Sequence, residues 1–118
     1  MRILIIEDDE RISGFMKRGL EAEAHDVRVA LDGERGIDLI QTASFDLIIL
    51  DVYLPQKNGL EICRYLRNQR IMPPILMMTA KDFSDLKEEG MRAGANDYLT
   101  KPFPFEVLLK KIDKLVCH

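Results

Sequence analysis

The sequence predicts an α/β fold, a doubly wound five-stranded parallel sheet with five helices. Three observations carry that expectation. Residues 3–6, 47–50 and 75–78 are unbroken apolar runs, the pattern of strands buried on both faces. The segments around them place apolar residues at helical spacing. Strand and helix alternate along the chain, which implies a parallel sheet covered by helices on both faces, and right-handed crossovers leave few topologies open.

The first strand, 3–6, runs into Glu7-Asp8-Asp9-Glu10. From Glu10 to about Ala24, Ile12, Phe15, Met16 and Leu20 fall at helical spacing. Asp9 and Glu10 then lie in the first turn, where carboxylates suit the positive end of the helix dipole. Residues 26–30 alternate as a short second strand. Asp32-Gly33 makes a turn, and Ile37 and Ile40 mark the core face of a second helix running to about Ala43. The third strand ends abruptly in Asp51, and a turn signal follows at 54–59. Gly59 opens a third helix with Leu60, Cys63 and Leu66 inward. Pro73-Pro74 breaks the chain ahead of the fourth strand, which ends in Thr79. A fourth helix covers roughly Ser84 to Ala93, with Ser84 as N-cap and Gly94 as its stop. Residues 97–100 form the fifth strand, followed by Lys101-Pro102. The last helix runs from about Phe105 to Val116 on a stripe of Leu108, Leu109, Ile112, Leu115 and Val116.

Composition narrows the function classes. The 118 residues make one domain, 1–118, and 47% hydrophobic with 31% charged residues favours a packed core over disorder. A net charge of -3 and a pI near 5.4 argue against direct nucleic-acid binding by this domain. Cys63 and Cys117 have no metal-like spacing and read as unpaired thiols of a reducing compartment. No apolar run approaches the roughly 20 residues of a membrane span, and residues 1–6 are too short an apolar stretch for a signal peptide. A cytoplasmic domain without membrane contact is expected. His25 and His118 read as surface residues, Cys63 as core filler, and Met16, Met77, Met78 and Met91 as core methionines.

In a parallel sheet the carboxyl ends of all strands lie along one edge, and ligands bind there. The first strand delivers Glu7 and Asp8 to that edge, the third Asp51, the fourth Thr79 and the fifth Lys101. Three carboxylates in one place repel one another and call for a cation, and hard oxygen ligands suit Mg2+. Phosphoryl transfer needs mainly positioning and neutralisation of oxygens. Asp51 then reads as a nucleophile that becomes an aspartyl phosphate. Lys101 pairs with a phosphate oxygen as a compact charge, and the Thr79 hydroxyl donates to another.

Ile5-Ile6-Glu7-Asp8-Asp9, Leu50-Asp51-Val52-Tyr53-Leu54-Pro55, Met78-Thr79-Ala80 and Asp97-Tyr98-Leu99-Thr100-Lys101-Pro102-Phe103 together resemble the receiver domain of two-component response regulators, from end to end of the chain. The resemblance implies a flavodoxin-like fold with strand order 2-1-3-4-5, and an Asp51 phosphorylated by a sensor histidine kinase. It implies Glu7 and Asp8 as the acidic pair, with Asp8 the direct metal ligand, and a Tyr53 whose backbone carbonyl faces Mg2+. It also implies Thr79 and Tyr98 as a switch pair that remodels the face of the fourth helix, fifth strand and fifth helix, and a cis peptide between Lys101 and Pro102. Residues 94–98 and 101–106 look like the subgroup that carries a winged-helix DNA-binding domain and dimerises through that face. Lys87, Asp97, Glu106 and Lys111 are the charged residues that would serve such a homodimer; Asp113 departs from the basic residue expected there. The sequence stops at His118, where a linker would begin, and reads either as part of a longer chain or as a single-domain protein. Tyr53 and Lys81, two places beyond Asp51 and Thr79, are placed beside the path of a water that hydrolyses the phosphate.

Plainer readings of the same residues stand beside these. Glu7 to Glu10 also read as dipole-matching acids, the preferred reading for Asp9 and Glu10. Asp51 also reads as an Asx-turn residue before Pro55, Thr79 as an N-cap, Lys101 as a solvated lysine and Tyr98 as an ordinary strand tyrosine. Among functions, a phosphatase of the haloacid dehalogenase type shares the Asp nucleophile and Mg2+, but wants a second Asp where Tyr53 stands. A P-loop enzyme would need a glycine-rich loop where Glu7-Asp8-Asp9 lies, and a flavodoxin-like carrier a hydroxyl-rich one. A phosphorylation-independent interaction module would not need all of Glu7, Asp8, Asp51, Thr79 and Lys101. The expected protein is a switch that catalyses its own phosphorylation and dephosphorylation and turns over no external metabolite.

Overall fold

A computed structural model of the chain describes residues 1–80 and 84–116, the side chains of residues 84–86 excepted. Lys81, Cys117, His118 and the capping role expected of Ser84 lie outside the described residues. Strands β1 (Arg2–Ile6), β2 (Asp26–Ala30), β3 (Leu47–Asp51), β4 (Ile75–Ala80) and β5 (Asp97–Lys101) alternate with helices α1 (Glu10–Ala22), α2 (Gly33–Thr42), α3 (Gly59–Asn68), α4 (Ser84–Ala93) and α5 (Phe105–Val116). The sheet order is β2-β1-β3-β4-β5 with every pair parallel, the flavodoxin-like order the resemblance implied.

The apolar runs are continuous because both faces of the sheet are covered. Leu4, Ile6, Ile48, Leu50, Ile75 and Met77 face one layer, where Leu60, Ile62, Cys63 and Leu66 of α3 and the half-buried Ile37 and Ile40 of α2 pack. Ile3, Ile5, Leu47, Ile49, Leu76 and Met78 face the other, against Met16 and Leu20 of α1 and Leu108 and Ile112 of α5. The side-chain alternation of a strand thus feeds two cores from one run.

The order reverses between β1 and β3, and at such a switch point the connections diverge to opposite faces and leave a crevice at the carboxyl ends. At the other end of the sheet the half-buried Arg67, from the last turn of α3, ties the connections together. Its guanidinium donates to the carbonyls of Gly94 (2.9 Å), Ile71 (2.6 Å) and Pro73 (2.9 Å) and to Asn96 Oδ1 (2.7 Å). Gly94 stops α4 with a φ of 115°, and a Cβ there would meet the Arg67 stem, so both the backbone angle and the space select glycine.

Several expectations are corrected. Asp9 is the N-cap of α1 and not a first-turn residue: its side chain accepts from the Arg11 N–H at 2.9 Å, so it satisfies an orphan donor directly. Asp32-Gly33 is not a free turn but the N-cap and first residue of α2. The helices α1 and α2 end at Ala22 and Thr42. Met91 is 47% exposed and not core, because it falls on the outer side of α4. Phe15 is 42% exposed despite its helical register with Met16; its ring lies 5.9 Å from that of Phe105 and 6.3 Å from that of Phe103. His25 is half-buried, with Nδ1 3.2 Å from the Met1 amine, so it is not simply a surface residue.

Candidate phosphoacceptor site

The crevice collects its residues from four strand ends. Glu7 and Asp8 follow β1 directly, Asp51 closes β3, Thr79 lies one residue before the end of β4, and Lys101 closes β5. Register sets their heights: Asp51 pairs with Met78, and Ala80 with Lys101. Glu7, Asp51 and Thr79 are each buried to within 1% of completely, whereas Asp8 is exposed. The loop after β3 is drawn in tightly. The Gly59 N–H donates to the Val52 carbonyl at 2.7 Å, and a Cβ at Gly59 would collide with the Asp51 carbonyl, so only glycine lets α3 start this close to the acid.

Lys101 joins the site electrostatically. Its Nζ donates to Glu7 Oε1 at 2.6 Å and to Asp51 Oδ2 at 3.1 Å. The other oxygen of Asp51 accepts the Tyr53 N–H at 3.2 Å, and Glu7 Oε2 accepts the Asp9 N–H at 3.3 Å. The Asx turn expected as the plainer reading of Asp51 is therefore present, and it fixes the carboxylate's rotamer within the site rather than replacing the site. Lys101 is no solvated lysine, and Thr79 lies within β4 rather than at a helix cap.

Among the described residues, Glu7, Asp8 and Asp51 each place one carboxylate oxygen within 4.8 Å of the others, and the ammonium that pairs with them is that of Lys101. Burial, then the neighbouring Asp51, holds Glu7 above the usual carboxylate range. Loss of hydration and the Glu7 carboxylate push Asp8 upward as well. For Lys101, burial pulls the amine down, but the bond to Glu7 and the charge of Asp51 outweigh it and the net shift is upward. The two acids are thus raised first by burial and then by a neighbouring carboxylate, and the all-oxygen donor set fits a hard divalent cation. Thr79 Oγ1 is buried and has no hydrogen-bond partner, an unsatisfied state that buried hydroxyls rarely keep.

The remaining predicted residues lie outside this cluster. Tyr53 is exposed at its rim. The Lys101–Pro102 peptide is cis. Tyr98 is half-buried on β5, with Lys87 Nζ 4.6 Å and Lys111 Nζ 4.8 Å from its ring centroid. Lys111 also pairs with Asp97 at 3.4 Å, so two of the charges assigned to a dimer face meet within one chain, while Glu106 is exposed. Sequence reasoning missed the Asp9 N–H that orients Glu7. It also missed a cavity of about 380 Å³ beside Lys101, walled by Ile12, Phe15, Ala80, Pro102 and Phe103. The only signal for that cavity was the unexplained apolar density at 102–105.

Comparison with known proteins agrees with this geometry. Residues 3–113 match the response regulator receiver domain family. The chain is 47% identical over 107 residues to the alkaline phosphatase synthesis transcriptional regulatory protein PhoP of Bacillus subtilis, covering 90% of this chain and 45% of that one. It is 43% identical over 111 residues to response regulator ArlR of Staphylococcus saprophyticus, covering 94% and 50%. The chain thus spans about half the length of these curated relatives. The BeF3-activated N-terminal receiver domain of Klebsiella pneumoniae RstA superposes over 100% of both chains with a TM-score of 0.93 at 31% identity.

Proposed function

Because this chain belongs to the response regulator receiver domain family, we propose that residues 1–118 form the phosphorylation-dependent switch of a two-component system, with Asp51 taking the phosphoryl group from a sensor histidine kinase. The observation that carries this is the bridge of Lys101 between two buried carboxylates, Glu7 and Asp51, at the switch point of the sheet. A carboxylate oxygen of Asp51 attacks phosphorus, the phosphorus–nitrogen bond of the donor breaks, and its electron pair returns to the imidazole nitrogen. Lys101 is kept in reach by Glu7 and moves its charge onto a phosphoryl oxygen. The Thr79 hydroxyl, which lacks a partner, donates to another. Glu7, Asp8, Asp51 and the Tyr53 carbonyl are the groups that would hold Mg2+, which when bound supplies neutralisation and coordination of a phosphoryl oxygen.

Movement of Thr79 toward the phosphate releases space for Tyr98, and the face of α4, β5 and α5 changes with it. Lys87, Asp97, Glu106 and Lys111 lie on or beside that face and serve a homodimer. The PhoP relative is named a transcriptional regulatory protein, and on that likeness the output is control of transcription through a DNA-binding domain distinct from this one. The chain acts in the cytoplasm and turns over no external metabolite. Among the described residues no helix is long and apolar enough to cross a membrane.

Intact mass after incubation with acetyl phosphate and Mg2+ tests the reading. One phosphate on the wild type, none on Asp51→Asn and none with a chelator is the expected result. Undiminished uptake by Asp51→Asn would overturn it.

A further inference from the structure

Two lysines from different helices lie over the Tyr98 ring. Lys87, on α4, sets its ammonium 4.6 Å from the ring centroid, and Lys111, on α5, sets its own at 4.8 Å. Both distances are within the range in which a cation is attracted by an aromatic face. Lys111 is itself fixed by Asp97 at 3.4 Å, next to the tyrosine in sequence. The register pairs Met77 with Tyr98 and Thr79 with Thr100, and Met77 belongs to the core layer on the α3 side. Strand alternation therefore puts Thr79 and Tyr98 on that same face of the sheet. Thr79 Oγ1 is buried there and unpartnered.

We propose that Lys87 and Lys111 form a cationic clamp that holds the Tyr98 ring in its present place and so sets how hard the switch is to throw. This rests on the reading of Thr79 and Tyr98 as a coupled pair. The ring can leave its present place only by giving up both cations, so each contact adds to the free-energy gap between the two states. A ligand that prefers the other state then binds with an apparent affinity lowered by the fraction of chains already there. The clamp is built from two helices that flank β5, so it also reports their separation.

The probe is beryllofluoride with Mg2+, titrated at a protein concentration where sedimentation shows a monomer. Lys87→Met and Lys111→Met are each expected to tighten beryllofluoride binding about two- to fivefold, the worth of one exposed cation–aromatic contact. The decisive control is the same pair of substitutions in a Tyr98→Leu background, where there is no ring to hold and the gain disappears. A loss of positive charge acting at long range on the acidic site would persist in that background, so a gain of equal size with and without the ring overturns the clamp. Lysine variants that bind as the wild type does overturn it too, while leaving Asp51 as phosphoacceptor intact. A wild type that takes up no beryllofluoride with Mg2+ overturns both.

Discussion

The two ends of the sheet solve opposite problems with the same kinds of group. At the amino ends of β4 and β5, one guanidinium meets three carbonyls and one amide oxygen, and Asn96 Oδ1 also accepts the Ile75 N–H at 2.9 Å. Donors and acceptors are matched, and the connections from α3 and α4 are locked together. At the carboxyl ends, among the described residues, three carboxylates share one ammonium, and a hydroxyl is buried without a partner. On the proposed reading, that end is completed by a phosphoryl group and a cation. The contrast teaches that burial of polar groups marks a structural site when the hydrogen bonds close, and a functional one when they do not.

The largest expected departure separates chemistry from stability. Lys101→Met should slow phosphate incorporation on Asp51 by about a hundredfold or more, the cost of removing one donor from a charged transition state, while the folded chain persists by circular dichroism. At the opposite end, Arg67→Met keeps the stem against Gly94 and deletes the guanidinium. Hydrogen bonds to a charged group are each worth about 1.5–3 kcal/mol and their losses overlap, so denaturant unfolding should show roughly 2–3 kcal/mol less stability. The rate of phosphate incorporation, measured well below the melting temperature, should be unchanged. Equal effects of the two substitutions on both readouts would erase the distinction between the two ends.

A smaller effect of opposite sign is expected at Glu7. Its carboxyl is held above its ordinary value of 4.5 in the folded chain by burial and by Asp51. The folded state therefore keeps this proton to higher pH than the unfolded state, and stability falls as pH rises from 4.5 through the raised value. Without divalent cations, Glu7→Gln should melt higher than the wild type at neutral pH, and the gap should close as pH is lowered through that window. A wild type that melts above Glu7→Gln at neutral pH would mean that the Lys101 pair outweighs the repulsion. The smallest change concerns the same end of the sheet but a different kind of acid. Asp32 caps α2 by accepting the Arg35 N–H at 2.8 Å. Asp32→Ala should cost about 1 kcal/mol and leave phosphate incorporation untouched.

Much of this is legible in the sequence. Leu47 to Leu50 has the pattern of a strand buried on both faces, and Asp51 follows from where it stops. The residues misread were those with two physical uses. Asp9 carries the charge of a dipole-matching acid and the geometry of a cap. Phe15 and Met91 have helical spacing, yet spacing says which residues share a face and not how much of that face is covered. Arg67 is not legible in the sequence because three of its four acceptors are main-chain oxygens, which leave no trace in side-chain patterns.

By itself the sequence determined which segments are strands, and therefore that Glu7, Asp8, Asp51, Thr79 and Lys101 leave at one edge, because apolar runs must be buried and parallel strands share a direction. Only the tertiary structure decided which of those groups touch. Glu7 and Lys101 stand 94 positions apart and meet at 2.6 Å, a distance set by strand order, register and the close start of α3 at Gly59. The same holds for the unpartnered Thr79 hydroxyl and the two lysines on Tyr98. Chemistry can be read from residue types at strand ends, but whether a charge is paired or left open depends on distances that arise when separate strands and helices pack.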